Sequence, residues 1–172
     1  DQRRAARDPE RSRSAPDNRA KVRRIPDLAL VYLLGSPEAP EGIVLPVEGY
    51  GLWSTLYGYL ALEPDARTIR GLTFYEHGET AGLGGEVDNP RWKARWPGRL
   101  AFDTEGALRI AVAKGPAGSP AEDPYRVDGL SGATLTSNGV THLLHFWLGD
   151  EAFGPYLSGL RQRTGHAERG PG

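Results

Sequence analysis

Cysteine is absent from the 172 residues, which excludes disulfide bonds, thiolate metal sites and cysteine nucleophiles. A long apolar run is missing too, since the longest, 28–34, is far shorter than the roughly 20 residues that a transmembrane helix needs. A basic excess is also missing: 21 Lys and Arg stand against 22 Asp and Glu, for a formal net charge of -1. General nucleic-acid binding needs such an excess, so no nucleic-acid partner is expected. The composition, 38% hydrophobic and 25% charged, is that of one soluble globular domain.

Four apolar segments have the length of β-strands and follow one another with short turns: 28–34, 42–47, 56–62 and 68–75. Short turns without intervening helices favour an antiparallel sheet, so the predicted fold class is α+β, an antiparallel sheet flanked by a few helices. The first segment is expected to be buried, and Pro46 indicates an edge or a bulge in the second. A last, shorter strand is expected over 108–112.

Two short helices are predicted outside the main motif. Asn89 is a helix cap with Pro90 at the first helical position, and Trp92 and Trp96 of this helix are expected in the core. A second helix is expected over 154–163, with its inward side chains being Tyr156, Leu157 and Leu160.

The two ends of the chain are predicted to lie outside the folded domain, which is assigned to 25–164. Residues 1–24 carry eight arginines and are interpreted as a basic, solvated and partly disordered arm, with a short helix over 1–7. Residues 165–172 are predicted to be a disordered tail.

The most distinctive stretch is 127–140, where four hydroxyl side chains and three glycines lead into a helix. The helix has one apolar face, formed by Val140, Leu143, Leu144, Trp147 and Leu148. Gly149 ends it, and Thr136, Ser137 or Asn138 can cap its start. A loop feeding a helix start is a natural anion site, so the hydroxyls either surround a phosphate or only cap the helix.

The stretch DGLSGAT at 128–134 resembles the flavinylation motif D-x-x-[ST]-G-A-[ST] of FMN-binding domains. Nearly the whole chain is similar to one such family, the NqrC subunits of the sodium-translocating NADH:quinone reductase. The similar segments are DQRRAA (1–6), GYGLWS (49–54), ALEP (61–64), GETAGLGGEV (78–87), NPRW (89–92) and FGPY (153–156). Ala81 departs from the proline expected in the Gly-Glu-Thr-x-Gly-Leu-Gly loop.

The resemblance implies a set of cofactor contacts. FMN is expected to be joined through its phosphate to Thr134, with the motif residues Ser131, Gly132 and Ala133 beside it and Leu135 and Thr136 following. Thr80 and Leu83 are the expected contacts of the isoalloxazine ring. Trp53 is a candidate for an aromatic contact with the ring or, alternatively, a core residue. Thr136 could bond the phosphate or the ring instead of capping the helix. Asp128 is expected to shape the motif or to help the attaching enzyme recognise it.

The resemblance also implies a cellular setting. The domain would follow a single membrane anchor, absent from this sequence, and lie on the periplasmic side of the bacterial inner membrane. It would carry electrons among the other subunits of the Na+-translocating NADH:ubiquinone reductase without binding NADH itself. A flavin transferase that uses FAD and Mg2+ would attach the FMN.

Two alternatives remain open. The first is the corresponding flavoprotein subunit of an Rnf-type redox complex. The second is a serine hydrolase using Ser131 with His77 or His142, although Ala133 replaces the last glycine of the G-x-S-x-G elbow. A zinc site is not predicted, because His142 and His145 have no third ligand nearby in sequence.

Overall fold

An antiparallel sheet of four strands forms the centre of the fold in a computed structural model that describes residues 2–167. The elements in chain order are α1 (Gln2–Arg7), β1 (Ser12–Ser14), β2 (Arg24–Pro26), β3 (Tyr32–Gly35), β4 (Pro40–Tyr50), β5 (Thr55–Leu62), β6 (Ile69–Glu76), a 3-10 turn (Gly84–Asp88), α2 (Pro90–Lys93), β7 (Ala111–Val112), β8 (Arg126–Val127), α3 (Thr134–Leu148) and α4 (Gly154–Ala167). The central sheet has the order β3-β4-β5-β6, and β1-β2 and β7-β8 form two small ribbons.

Alternating burial along β4 and β5 gives the central sheet one apolar face. The buried side chains of this face include Ile43, Leu45 and Val47 of β4 and Leu56, Leu60 and Leu62 of β5. The predicted strands 42–47, 56–62 and 68–75 are confirmed, with bounds that differ by one or a few residues. The predicted α+β class with an antiparallel sheet is confirmed as well.

Helix α3 covers the apolar face of the sheet with the stripe that its sequence predicts. Val140, Leu143, Leu144, Trp147 and Leu148 are all buried. A Cβ at Gly49 of β4 would overlap the Cβ of Leu143, so the glycine lets the helix approach the strand closely. The indole Nε1 of Trp147 donates to the Glu48 carbonyl at 2.7 Å, which fixes the helix along the strand.

Several sequence predictions about the sheet are wrong in part. The segment 28–34 is not a buried strand, because β3 begins at Tyr32 as an exposed edge and Leu28 is 88% exposed. The edge position predicted for Pro46 is confirmed, because β3 pairs with β4 only up to Val44 and Pro46 has β5 as its one partner. The strand expected over 108–112 is reduced to β7, which pairs in parallel with β8.

Helix α2 has only four residues, and α4 is longer than predicted. The Asn89 side chain accepts from the Arg91 amide as expected of a cap, and Trp92 and Trp96 are buried, as predicted. In α4 Leu157 is fully buried, whereas Tyr156 is 38% exposed, so its predicted place on the inner face is wrong. The helix continues to Ala167, into the segment predicted to be a tail, and 168–172 lie outside the described residues.

The N-terminal segment packs on the domain, so the prediction of a solvated, partly disordered arm is wrong for its described residues. Helix α1 confirms the expected short helix, and Arg3 pairs with Glu76 at 2.7 Å while its guanidinium lies 3.7 Å from the centre of the Tyr57 ring. Ala20 and Val22 are buried in the core. Arginine stems and a few apolar residues thus give the segment enough contact area to fold against the sheet.

Candidate functional site

The motif loop passes directly into α3, which begins at Thr134, earlier than its sequence predicts. The N-cap position is Ala133, whose side chain makes no capping bond. Thr136 and Ser137 therefore lie in the first turn, 1% and 2% exposed, and the prediction that a hydroxyl caps the helix is wrong. Their hydroxyls form hydrogen bonds with neighbouring loops instead. Thr136 donates to Glu79, and Ser137 accepts from the Leu130 amide at 3.0 Å.

The start of α3 leaves backbone donors free. The amides of Thr134, Leu135 and Thr136 have no acceptor among the residues that the structure describes. The side chains of Ser131, Thr134 and Leu135 are exposed beside them. Since α3 is 15 residues long, free amides and the helix dipole both favour an anion at this end.

Glu79 connects three separate chain segments beneath this surface. Glu79 is 9% exposed, and its carboxylate accepts amide hydrogens from Leu52 at 3.1 Å, Trp53 at 3.0 Å and Ser54 at 3.2 Å. The Thr136 hydroxyl donates to the same carboxylate at 2.6 Å. The turn after β4, the loop after β6 and the first turn of α3 are thereby joined at one buried group.

The hydrogen bonds to Glu79 keep it charged despite its burial. Burial acts to raise the pKa of this carboxyl, but the Thr136 hydroxyl and the amides of Trp53, Leu52 and Ser54 stabilise the anion. The second effect prevails, and the pKa of Glu79 lies below its ordinary value. No cation forms a salt bridge with Glu79 within residues 2–167, so hydrogen-bond donors alone balance its charge.

Two glycines leave the space that the Glu79 carboxylate occupies. A Cβ at Gly51 would lie 2.7 Å from its Oε1, and a Cβ at Gly84 would lie 2.8 Å from its Oε2. The Cβ at Gly84 would also overlap the Thr136 hydroxyl oxygen. Gly51 and Gly84 are therefore required for packing around this carboxylate.

Exposed apolar side chains surround this group. Trp53 is 65% exposed, which excludes the alternative that it is a core residue. Leu83 lies against the motif loop, because a Cβ at Gly132 would be 3.1 Å from its Cδ2. Leu52 and Leu135 are exposed as well, and the neighbouring Thr80 side chain faces solvent. The structure thus brings the loop with Thr80 and Leu83 to the motif, and holds the backbone of Trp53 against the same Glu79.

Two motif residues have structural contacts. Asp128 accepts from the Ala117 amide at 2.9 Å and pairs with Arg95 at 3.4 Å, in agreement with its expected role in shaping the motif. The Thr136 hydroxyl is donated to Glu79, so this hydrogen is not available to a phosphate or a ring.

The serine hydrolase alternative finds no support in the histidine geometry. His77 uses both ring nitrogens, Nε2 with Asp88 at 2.7 Å and Nδ1 as acceptor from the Glu79 amide at 3.1 Å. Burial, with Arg19 and His145 nearby, lowers the pKa of His142. The described residues show no hydrogen bond between Ser131 and either histidine. His145 bonds the Ile110 carbonyl at 2.6 Å, and within 2–167 no cluster of three or more possible metal ligands is found.

Sequence reasoning missed Glu79 as a site residue. It lies in the Gly-Glu-Thr segment, but its partners are between 25 and 57 residues distant along the chain. No spacing rule joins such positions, so only the presence of an acidic residue in a glycine-rich loop could have indicated it.

Comparison with known proteins finds a family whose matching region includes this site. The sequence profile of the FMN-binding domain matches residues 51–149, which include the 52–54 turn, Glu79 and the whole motif. This chain belongs to the FMN-binding domain family. The match covers more than half of the chain and confirms the resemblance seen in the motif.

Its relatives in the FMN-binding domain family carry a more specific name. The NqrC subunit of the Na(+)-translocating NADH-quinone reductase of Pseudomonas aeruginosa is 49% identical over 92% of this chain and 62% of the relative. Its Vibrio anguillarum counterpart is 48% identical over 94% of this chain and 63% of the relative. The expected resemblance to NqrC is thus confirmed. The chain spans a little under two thirds of these relatives.

Solved NqrC structures have this fold. Shewanella oneidensis NqrC superposes with a TM-score of 0.85 at 38% identity, over 94% of this chain and 74% of that one. The corresponding protein from Parabacteroides distasonis superposes with a TM-score of 0.62 at 34% identity, over 74% of this chain and 61% of that one. Among the helices of residues 2–167, none is both long and apolar enough to cross a bilayer.

Proposed function

We propose that this domain holds FMN through a phosphoester to Thr134 and carries electrons within a Na+-translocating NADH:quinone reductase. The observation that carries the proposal is an exposed Thr134 at the start of a 15-residue helix whose first amides have no acceptor within residues 2–167. A phosphate at this position accepts from those amides and meets the positive end of the helix dipole.

The residues around Thr134 fit the rest of the cofactor. Gly132 has φ 68, a left-handed conformation that turns the loop just before the attachment residue. Exposed Leu83, Leu135 and Trp53 offer apolar and aromatic surface to a flat ring, and Thr80 offers a hydroxyl. Ser131 and Ala133 complete the motif, the first exposed and the second buried beneath the loop.

The cofactor and the protein chain have separate roles in the proposed function. Bound FMN supplies the electron-transfer chemistry, and the chain attaches it, limits its orientation and sets the charge around it. The names of the relatives support a place in the quinone reductase over the Rnf-type complex. The proposed partners are the other subunits of that membrane complex and, during maturation, a flavin transferase using FAD and Mg2+. The proposed location is the periplasmic side of the inner membrane.

Peptide mapping tests the attachment. The chain is produced with a flavin transferase, FAD and Mg2+, and the tryptic peptide 127–161 is fragmented to locate the added mass among its hydroxyl residues. The expected mass is that of FMN less one water, on Thr134. Thr134→Val should abolish it, and the matched control Ser131→Ala should retain it.

The opposite pattern would contradict the proposal. Loss of the added mass in Ser131→Ala with retention in Thr134→Val would move the attachment elsewhere. Labelling of Ser131 by a fluorophosphonate would instead support the hydrolase.

A further inference from the structure

We propose that Glu79 is the positioning residue of the flavin site: its buried carboxylate holds the 52–54 turn and the 79–84 loop against the start of α3 and makes the attached flavin harder to reduce. This inference rests on the proposed attachment of FMN to Thr134. Its two parts, positioning and charge, are carried by different observations.

The proposed positioning role is supported by the hydrogen bonds that the Glu79 carboxylate accepts. Three successive amides, those of Leu52, Trp53 and Ser54, converge on the carboxylate. Successive amides of this kind form a concave anion site, and here a side chain of the same protein fills it. The remaining bond comes from Thr136, two residues after the attachment residue. Glu79 therefore holds the Trp53 backbone directly and the first turn of α3 through Thr136, and Gly84, the residue after Leu83, packs against the same carboxylate.

The charge part rests on the absence of a neutralising partner. No lysine, arginine or histidine of the described residues forms a salt bridge with Glu79. An anion that is only 9% exposed is weakly screened by water and salt. Adding an electron to a flavin places negative charge near this carboxylate, which is unfavourable and moves the midpoint potential to a more negative value.

Positioning and charge are separated by two variants used together: Glu79→Gln keeps the shape of the Glu79 side chain but removes its charge, and Thr136→Val leaves that charge in place. The amide oxygen can still accept from the 52–54 turn, but the amide NH2 group meets the Leu52 N–H, which can only donate, and the Thr136 hydroxyl has to turn from donor to acceptor. Thr136→Val removes one bond and keeps the charge. Glu86→Gln is the matched control, because Glu86 lies in the same loop and its carboxylate accepts from Asn89 at 2.6 Å.

Native-state hydrogen exchange on the flavin-free chain tests positioning. The amides of Leu52, Trp53 and Ser54 should be protected in the parent, and both Glu79→Gln and Thr136→Val should lose that protection by roughly tenfold or more, about 1.4 kcal/mol. Glu86→Gln should leave it unchanged. Equal protection of these amides in parent and Glu79→Gln overturns the positioning role, whether or not flavin is ever attached.

Redox titration of the loaded protein with dithionite tests the charge. The expected result is a midpoint potential more positive in Glu79→Gln than in the parent, with parent-like potentials in Glu86→Gln and a smaller change in Thr136→Val. Identical potentials in the parent and Glu79→Gln overturn the charge role. Peptide mapping of each sample separates this failure from that of the proposed function, which would appear as no added mass on Thr134 of the parent.

Discussion

Two buried charges, Glu79 and Arg99, occupy opposite kinds of backbone environment. Arg99 is 1% exposed and donates to three carbonyls, of Arg95 at 3.0 Å, Asp123 at 2.6 Å and Gly118 at 2.8 Å. Glu79 accepts from three amides and one hydroxyl. Neither forms a salt bridge within the described residues, so in both cases loop backbone stabilises a charge that would otherwise be costly to bury.

Glu79 and Arg99 differ in the chain segments that they hold in place. Arg99 secures the segment over 116–126, which leads into β8 and the motif, and its partners are carbonyls of that segment and of Arg95. Glu79 joins segments that carry the exposed residues of the proposed flavin site. We therefore expect Arg99 to govern stability and Glu79 to govern the properties of the site.

The largest effect expected at the two charged groups is the loss of stability in Arg99→Met. Three carbonyl groups lose their donor in a site closed to water, and each buried unsatisfied acceptor costs roughly 1–3 kcal/mol. The free energy of unfolding should fall by about 3 kcal/mol, measured by urea denaturation. Arg95→Met is the control, because its exposed side chain pairs only with Asp128 among the described residues and should change stability by less than about 1 kcal/mol. An Arg99→Met variant as stable as Arg95→Met would refute the role of this charge.

A smaller effect is expected from Gly84→Ala, which breaks the packing around Glu79. The new Cβ would overlap the Thr136 hydroxyl oxygen and crowd Oε2 of Glu79 at 2.8 Å. Overpacking of this kind should cost about 2 kcal/mol and expose the 52–54 amides to exchange. At Gly71 a Cβ would meet no atom within 4 Å, so Gly71→Ala should stay within about 0.5 kcal/mol of the parent. Equal stability of the two variants would contradict the geometry.

The contributions of Glu79 and Arg99 to the free energy of unfolding should also depend differently on pH. The pKa of Glu79 is lowered in the fold, so its stabilising contribution is complete above the ordinary glutamate pKa and is lost as the pH falls through the lowered value. The stability difference between parent and Glu79→Gln should therefore shrink as the pH falls below the ordinary glutamate pKa of 4.5 and through the lowered pKa of Glu79. The difference between parent and Arg99→Met should stay constant, because this substitution removes no carboxyl group. Urea denaturation of the parent and both variants across this pH range tests the prediction. A stability difference between parent and Glu79→Gln that does not change with pH would contradict it.

The smallest stability change is expected for Trp53→Ala. Only the backbone amide of Trp53 serves Glu79, and its side chain is 65% exposed, so stability should change by less than about 0.5 kcal/mol. Trp96→Ala, at a fully buried indole, should cost about 3–5 kcal/mol. In the loaded protein the flavin fluorescence of Trp53→Ala should rise, because an aromatic contact quenches it. Unchanged fluorescence would exclude Trp53 as a ring contact.

Regular patterns explain what could be predicted from sequence. The alternation in 42–47 and 56–62 and the 3.6-residue spacing of Val140, Leu143 and Leu144 each report one buried face, so the sheet and α3 are foreseeable. The apolar run 28–34 misleads because an edge strand leaves such residues exposed. The N-terminal segment misleads because many arginines usually indicate a solvated segment, whereas Arg3 packs on Tyr57.

The cofactor contacts of the site could be predicted only for those segments that resemble a known family. Resemblance indicated the motif and the 78–87 loop, and the structure brings that loop to the motif. Helix capping rules favoured Thr136 and Ser137 as caps, yet both hydroxyls bond groups elsewhere, with Thr136 reaching a residue 57 positions away. Tertiary hydrogen bonds of that kind leave no local pattern, so neither they nor Glu79 and Arg99 could be inferred from spacing.

Fragmentation of the 127–161 peptide, recovered from the assembled and active membrane complex, decides whether Thr134 carries the flavin. We expect a quantitative mass addition of FMN less one water on the Thr134 hydroxyl. An unmodified peptide from fully active complex would rule this attachment out.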